Sequence, residues 1–403
     1  MILVFDLTGK TMIMKKNILL FIIFLIVQTT TLLSQEKKKS WWKENTSISG
    51  YVKYLNTASF RDFDNIYSDN MIHNRINFKM YINDNFTFDM QIRNRILWGE
   101  SLKNPYFKDY IDVQNDIDLS AFLIDEKALL FHSKIDRLSL TYNTGNWEFK
   151  IGRQRINWGK TWAWNANDLF NTYNLLDFDY EERPGSDAIS ILYNYGESSL
   201  VQAAYSYGKD IDHSIIALRQ QFSIKSYDIQ LIEANYKTDI ALGLGWEGYI
   251  KSAGFKGEST LFIPKDNNSM AKTVVLTSLS MDYFFKNGLM ILGSVLYNSD
   301  GITDSKSFNI QYFLGESLSA RNLMPNKLSF ILQNNLQINP ASSAAIGIMY
   351  MYDFKAVALL PNYSYSIKEN WDIDFNGQLF FGKQNDKFSN IQNAIYLRLR
   401  YSY

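Results

Sequence analysis

From Ile72 to Asn83 apolar and polar residues take turns. Ile72, Ile76, Phe78, Met80 and Ile82 fall on one side, and His73, Arg75, Asn77, Lys79 and Asn83 on the other, as alternate side chains of an extended strand must. The turn Asp84-Asn85 follows. Phe86, Phe88, Met90, Ile92 and Ile96 then oppose Thr87, Asp89, Gln91, Arg93 and Arg95, which completes a hairpin with one apolar and one charged face. The same period of two recurs in segments of roughly ten residues, the pattern of membrane-crossing strands. It predicts strands near 46–58, 71–83, 86–98, 136–143, 147–156 and 187–195, and twelve more ending with 391–403. The total is about 18, within a range of 16–18.

The connections decide what surrounds the apolar face. Links after even strands are short, such as 84–85, 143–146, 225–226 and 253–254, whereas every long link (99–135, 157–186, 264–271, 299–326, 382–390) follows an odd strand. A sandwich has no reason to sort its loops by parity; a membrane barrel with short periplasmic turns and long extracellular loops does. The predicted fold is therefore all-β, a transmembrane up-and-down antiparallel β-barrel spanning 46–403. Trp98, Trp147, Trp246 and Trp371 lie near predicted strand ends, where interfacial aromatic girdles belong. Ile310–Asn322, inside one long link, has a helical look.

Composition agrees. Phe and Tyr number 27 and 26, Pro only 6 and Cys 0, which removes disulfides, thiolate metal sites, Cys nucleophiles and a lipidated Cys. Met14-Lys15-Lys16 and the apolar run Ile18–Val27 read as a signal peptide over 1–34, cleaved near Ser34. The run is too short for the ~20 residues that cross a bilayer as a helix. Residues 1–13 precede the basic start and read as an overextended start, and 35–45 as a periplasmic tail. The expected location is the outer membrane. With 41 basic and 41 acidic residues, net charge names no partner and gives no sign of nucleic-acid binding.

Function is expected in the lumen. Closure sets the last strand beside the first, so Arg398 and Arg400 neighbour Lys53, followed by Arg75 and Lys79, then Arg93 and Arg95. These residues predict a basic wall, with Asp372, Asp374, Asp89 and Asp282 or Glu247 set against it to filter solutes by charge; facing charges of this kind also hold a barrel's shape. His73, His132 and His213 are too scattered for a metal site. His213-Ser214 lacks any hydrolase motif around it. Neither an enzyme nor a cofactor is expected.

The run Ile151-Gly152-Arg153-Gln154-Arg155-Ile156-Asn157-Trp158-Gly159-Lys160, continuing through Trp162, Trp164, Asn165, Asn167 and Asp168 to Arg183-Pro184-Gly185-Ser186, resembles the strand and loop of Gram-negative alginate-export-type and related porin-like barrels. The resemblance implies a loop folded inward with Arg153, Arg155 and Arg183 near the constriction, and anionic or sugar-like solutes. Strict alternation from Trp147, Phe149 and Ile151 would instead turn Arg153 and Arg155 to lipid. A bulge at Gly152, or exit of the strand from the membrane at that height, resolves the conflict.

The terminal strand carries Ile395, Leu397, Leu399, Tyr401 and Tyr403 on one face. It resembles the C-terminal signal read by the barrel-assembly machinery, which makes 395–403 the expected contact with that partner, alongside outer-membrane lipid. The expected function is a porin-like channel for passive diffusion of small polar, chiefly anionic solutes. The competing expectation is a plugged barrel serving as a structural or accessory subunit of an outer-membrane complex.

Overall fold

The computed structural model describes residues 40–104, 107–112, 116–172, 175–176, 184–266, 272–304, 318–384 and 387–403. The expected leader lies outside them. Of the tail, Trp41–Asn45 form a single helical turn, α1, closed by Asn45 Nδ2 donating to the Trp41 carbonyl at 2.9 Å.

Strands account for most of the rest. The first group is β1 (Thr46–Phe60), β2 (Ile66–Tyr81), β3 (Phe86–Gly99), β4 (Ser120–Glu126), β5 (Leu129–Thr144) and β6 (Trp147–Gln154). The second is β7 (Ser186–Asn194), β8 (Leu200–Ser206), β9 (Ile215–Ile224), β10 (Tyr227–Tyr236), β11 (Asp239–Ile250), β12 (Ala253–Pro264) and β13 (Val274–Phe284). The last is β14 (Leu289–Asn298), β15 (Leu328–Asn339), β16 (Ser342–Met351), β17 (Ala356–Lys368), β18 (Trp371–Gln384) and β19 (Lys387–Ser402). A helical turn α2 (Phe107–Ile111) lies between β3 and β4.

Each strand pairs antiparallel with its neighbours, and β19 returns to β1 with Lys53 opposite Arg400. Closure leaves no edge of the ring unpaired. Eighteen strands form the ring. The nineteenth, β4, is a short extra strand: β3 pairs directly with β5, and β4 lies against residues 129–134 of β5. On that same side of β5, β6 occupies only residues 138–144. One stave thus stops partway, and β4 fills the space above it.

Alternation sorts the faces. On β11, Ile240, Leu242 and Leu244 point outward and are exposed, while Asp239, Ala241, Gly243 and Gly245 are buried. On β16, Ile346, Ile348 and Tyr350 are exposed between buried Gly347, Met349 and Met351. Among the described residues all strands belong to one sheet and none covers the outer row, for which hydrocarbon is the natural solvent. One end carries the short turns 145–146, 225–226, 251–252, 340–341 and 369–370, with Lys225, Lys251 and Asn370 in the left-handed conformation that tight hairpins favour; the other end has the tight turn 237–238, with Lys237 left-handed, among longer links. The long connections 100–128, 155–185 and 299–327 sit at the other end. Aromatic pairs mark both rims, with Trp147–Tyr193 at 4.5 Å and Trp371–Tyr401 at 5.0 Å by the turns, and Tyr54–Trp98 at 6.3 Å by the loops.

Three expectations are corrected. The link expected over 99–135 contains β4 and the first seven residues of β5. The loop expected over 382–390 is mostly strand, since β18 runs to Gln384 and β19 starts at Lys387. Within Ile310–Asn322, residues 310–317 lie outside the described residues. The described remainder is a tight turn closed between Ser319 and Asn322, not a helix.

Candidate functional site in the lumen

Cations crowd one arc of the inner face. Arg75, Arg93 and Lys134 stand directly opposite one another across β2, β3 and β5, and His73, Arg95 and His132 form the adjacent row. Like charges in facing positions repel. Asp136 answers the first row: its carboxylate takes Arg75 at 2.8 Å and Arg93 at 3.2 Å, with all three side chains nearly inaccessible. At an effective dielectric of about 20, a unit pair 4 Å apart is worth about 4 kcal/mol, so the two attractions to Asp136 offset the repulsions of Arg93 with Arg75 and with Lys134. A register shift in β5 against Gln91 and Ile92 makes room, because it sets Asp136 and Arg137 side by side on the inner face. The second row meets α2: Arg95 donates to the Ile111 carbonyl and to His132 Nδ1, and Asp112 lies 3.3 Å from His132 Nε2 and 3.6 Å from Lys134.

The arc continues across the closure seam. The Lys53 ammonium and the Arg400 guanidinium lie 5.1 Å and 4.8 Å from the Tyr51 ring. Arg398 pairs with Asp374 at 2.8 Å, which also accepts from Ser364. Lys79 stands opposite Asp89. Asp372 stands opposite Arg400 and Asp374 opposite Arg398. These acids lie beside the cations, in the same arc, and not across the lumen from them.

Beyond Gln154 the chain leaves the wall and turns inward. Ile156, Trp158, Trp164, Leu169 and Leu176 pack into an apolar cluster with Ala217, Ile232, Phe262, Leu276 and Met349 from the inner face. At about 1.5–3 kcal/mol for each large apolar side chain buried, this packing supplies most of the energy that keeps the segment inside. Polar contacts fix where it sits. Glu258 on β12, fully buried, accepts from the backbone N–H of Lys160, of Thr161 at 2.7 Å and of Asn167 at 2.8 Å. Gln230 donates to the Trp158 carbonyl at 2.6 Å, Trp158 Nε1 to Gln202 at 2.9 Å, and Gln378, on β18, to the Leu176 carbonyl at 2.6 Å. Asn167 is seated on Gly243 and Gly245, where a Cβ would come within 2.7 Å and 2.8 Å of its amide.

Arg153 anchors the point of departure. Its guanidinium takes Asp187 through two bonds of 2.8 and 2.9 Å, donates to the Ile135 carbonyl at 2.9 Å and reaches the Ile117 carbonyl, while Ile117 N–H donates to Asp187. Gly152 has φ 110° and a Cβ there would strike the Leu138 carbonyl, yet register with β5 and β7 runs on unbroken. The bulge expected at Gly152 is therefore absent. Arg153 keeps the parity of exposed Ile151 and is buried instead by the segment leading into β4. Arg155 follows the strand end and is exposed. Arg183 lies outside the described residues.

Sequence reasoning missed Asp136's pairing, Lys134, Asp112, Asp187 and Glu258. Alternation of Phe131 and Ile135 with His132, Lys134 and Asp136 carried a usable signal for β5. Gly257-Glu258-Ser259 carried none, since it looks like any lumen-facing stretch. Among the described residues, no group of three or more His, Asp or Glu is placed to hold a metal ion. Ser214 Oγ accepts from Gly208 N–H and donates to the Asp210 carbonyl, and His213 contacts Asp210. Both residues close a loop turn.

No protein-family model matches the chain, and no curated protein matches it. Solved structures do. Acinetobacter baumannii OccAB1 is similar over 92% of this chain and 99% of its own, with a TM-score of 0.56 at 10% identity. Pseudomonas aeruginosa OccK5 (OpdH) is similar over 89% and 99%, with 0.56 at 9%, and Pseudomonas aeruginosa OccK8 (OprE) over 89% and 98%, with 0.56 at 10%. At such identities the likeness is one of fold. It supports the porin-like architecture of the resemblance drawn from 151–186 and not its alginate-export-type assignment.

Proposed function

We propose that the chain is an outer-membrane channel for passive diffusion of small polar, chiefly anionic solutes past a basic wall. The observation that carries this reading is the cation-rich arc of β19, β1, β2, β3 and β5 on the inner face, while the apolar seat of the inward segment runs over the strands from β7 to β18. Solute threading the lumen passes between the two, where fixed charges select by sign. The solved barrels of the same fold are Occ porins, which supports a channel; fold alone does not name a substrate. In this reading residues 1–34 are the leader, 35–45 a periplasmic tail, and the outward face of 395–403 the contact with the assembly machinery. No catalytic group or cofactor takes part.

The test is planar-bilayer recording of the refolded protein in a salt gradient. Stepwise anion-selective currents are expected, and Arg93→Glu with Arg95→Glu is expected to move the reversal potential toward cations. An unchanged potential removes the arc from the mechanism. The apolar cluster inside the barrel favours one second reading, a plugged barrel acting as an accessory subunit, for which a silent bilayer would speak.

A further inference from the structure

Three tryptophans lie on the inward segment, and they divide sharply. Trp158 and Trp164 are 1% and 3% exposed, whereas Trp162 is 47% exposed. Water-exposed indole is unfavourable, and this one is also held in place. Its Nε1 donates to Asp282 at 3.0 Å, its backbone N–H reaches Ser280 Oγ at 3.5 Å, and the Lys256 ammonium lies 5.1 Å from its ring. Lys256 pairs with Glu247 at 2.5 Å, and Glu247 also faces Lys160 at 3.6 Å. All four strand residues are near the turn end, since β11 ends at Ile250, β12 starts at Ala253 and β13 ends at Phe284.

We infer that Trp162 is the platform of a binding site for an uncharged, ring-shaped polyhydroxylated solute, of the pyranose class, on the turn side of the inward segment. The two charges in contact with the ring, Lys256 over its face and Asp282 at its edge, are of opposite sign, and Glu247 holds Lys256 and Lys160 in a chain of ion pairs, so the ring offers no concentrated charge of either sign. Lys256 covers one face of the indole. The other face, negative at its centre, suits the polarised C–H face of a sugar ring. The carboxylates and ammonium at the rim supply acceptors and donors for equatorial hydroxyls. A pinned ring loses little conformational entropy when a ligand settles on it. This site is separate from the basic arc, and binding to it does not require the barrel to conduct.

The test uses the full chain refolded in a detergent without a sugar headgroup, with saturation-transfer NMR as the readout. Maltotriose is expected to bind saturably, and sorbitol, which has no ring face, at least about tenfold more weakly. Trp162→Ala is expected to weaken maltotriose by about tenfold or more, and Trp162→Phe by about threefold or less. Heat-modifiable electrophoretic migration checks that each variant is folded. Equal binding of sorbitol and maltotriose, undiminished binding by Trp162→Ala, tighter binding of glucuronate than of glucose, or no saturable maltotriose binding would each overturn the inference. A silent bilayer with intact maltotriose binding would overturn only the channel.

Discussion

The carboxylate of Glu258 lies 2.8 Å from the backbone nitrogen of Asn167, a residue 91 positions earlier in the chain. One side chain of the wall thereby sets the depth of a segment that left the wall at Gln154. Because apolar packing holds the segment inside and Glu258 only fixes its placement, Glu258→Ala should loosen 160–167 without unfolding the barrel. Each orphaned buried N–H is worth roughly 1–3 kcal/mol. Limited proteolysis of the folded barrel should reveal a new cut within 160–167, and the same cleavage pattern as the parent would deny Glu258 this role.

Gly243 tests the seat from the other side. A Cβ there meets Asn167 Oδ1 at 2.7 Å and Ile232 Cβ at 3.0 Å. Gly243→Leu should push Asn167 off the wall and reproduce the Glu258→Ala cleavage, and the double variant should add little to either single one, as coupled sites do. Full additivity would mean that the two residues hold different parts.

Asp136 is the counter-charge of Arg75 and Arg93. Asp136→Asn should lower barrel stability by roughly 3–5 kcal/mol, the usual cost of breaking a buried ion pair by removing one partner, and Arg93→Gln in the same chain should restore part of it. Urea unfolding in lipid bilayers measures both. Undiminished stability of Asp136→Asn would show that the two guanidiniums are compensated elsewhere.

Arg153→Lys keeps the charge and loses the fork that spans Asp187 and the carbonyls of Ile117 and Ile135. The expected cost is about 1–3 kcal/mol, expressed locally. Hydrogen exchange should speed up in 117–126 and stay slow in β10–β16. A uniform change over the whole ring would place the role of Arg153 elsewhere.

Most of the ring was legible because a period of two survives wherever one face meets lipid and the other water. Ile72–Asn83 and Phe86–Ile96 are such stretches, and they fall on the paired strands β2 and β3. The signal failed where the surroundings change. Phe122-Leu123-Ile124 in β4 sit side by side rather than alternating, so no strand was read there. Asp136 sits at an irregularity in β5 that breaks the alternation at the residue that matters. The inward segment obeys no period, since its contacts with Glu258, Gln230 and Gln378 depend on where a loop travels after it leaves the sheet. Arg153 was picked out by its neighbourhood, but its partner Asp187 could be named only once β6 and β7 were side by side.

The hairpin of β4 and β5 bears on how such a protein can change over generations. The space over β6 is taken by a strand that pairs with β5, and β6 is joined to β7 up to Gln154 and Ser186, so the hydrogen-bonded wall does not depend on what lies between those two residues. Insertions, deletions and wholesale replacement in that inner segment can therefore retune the passage without breaching the membrane seal.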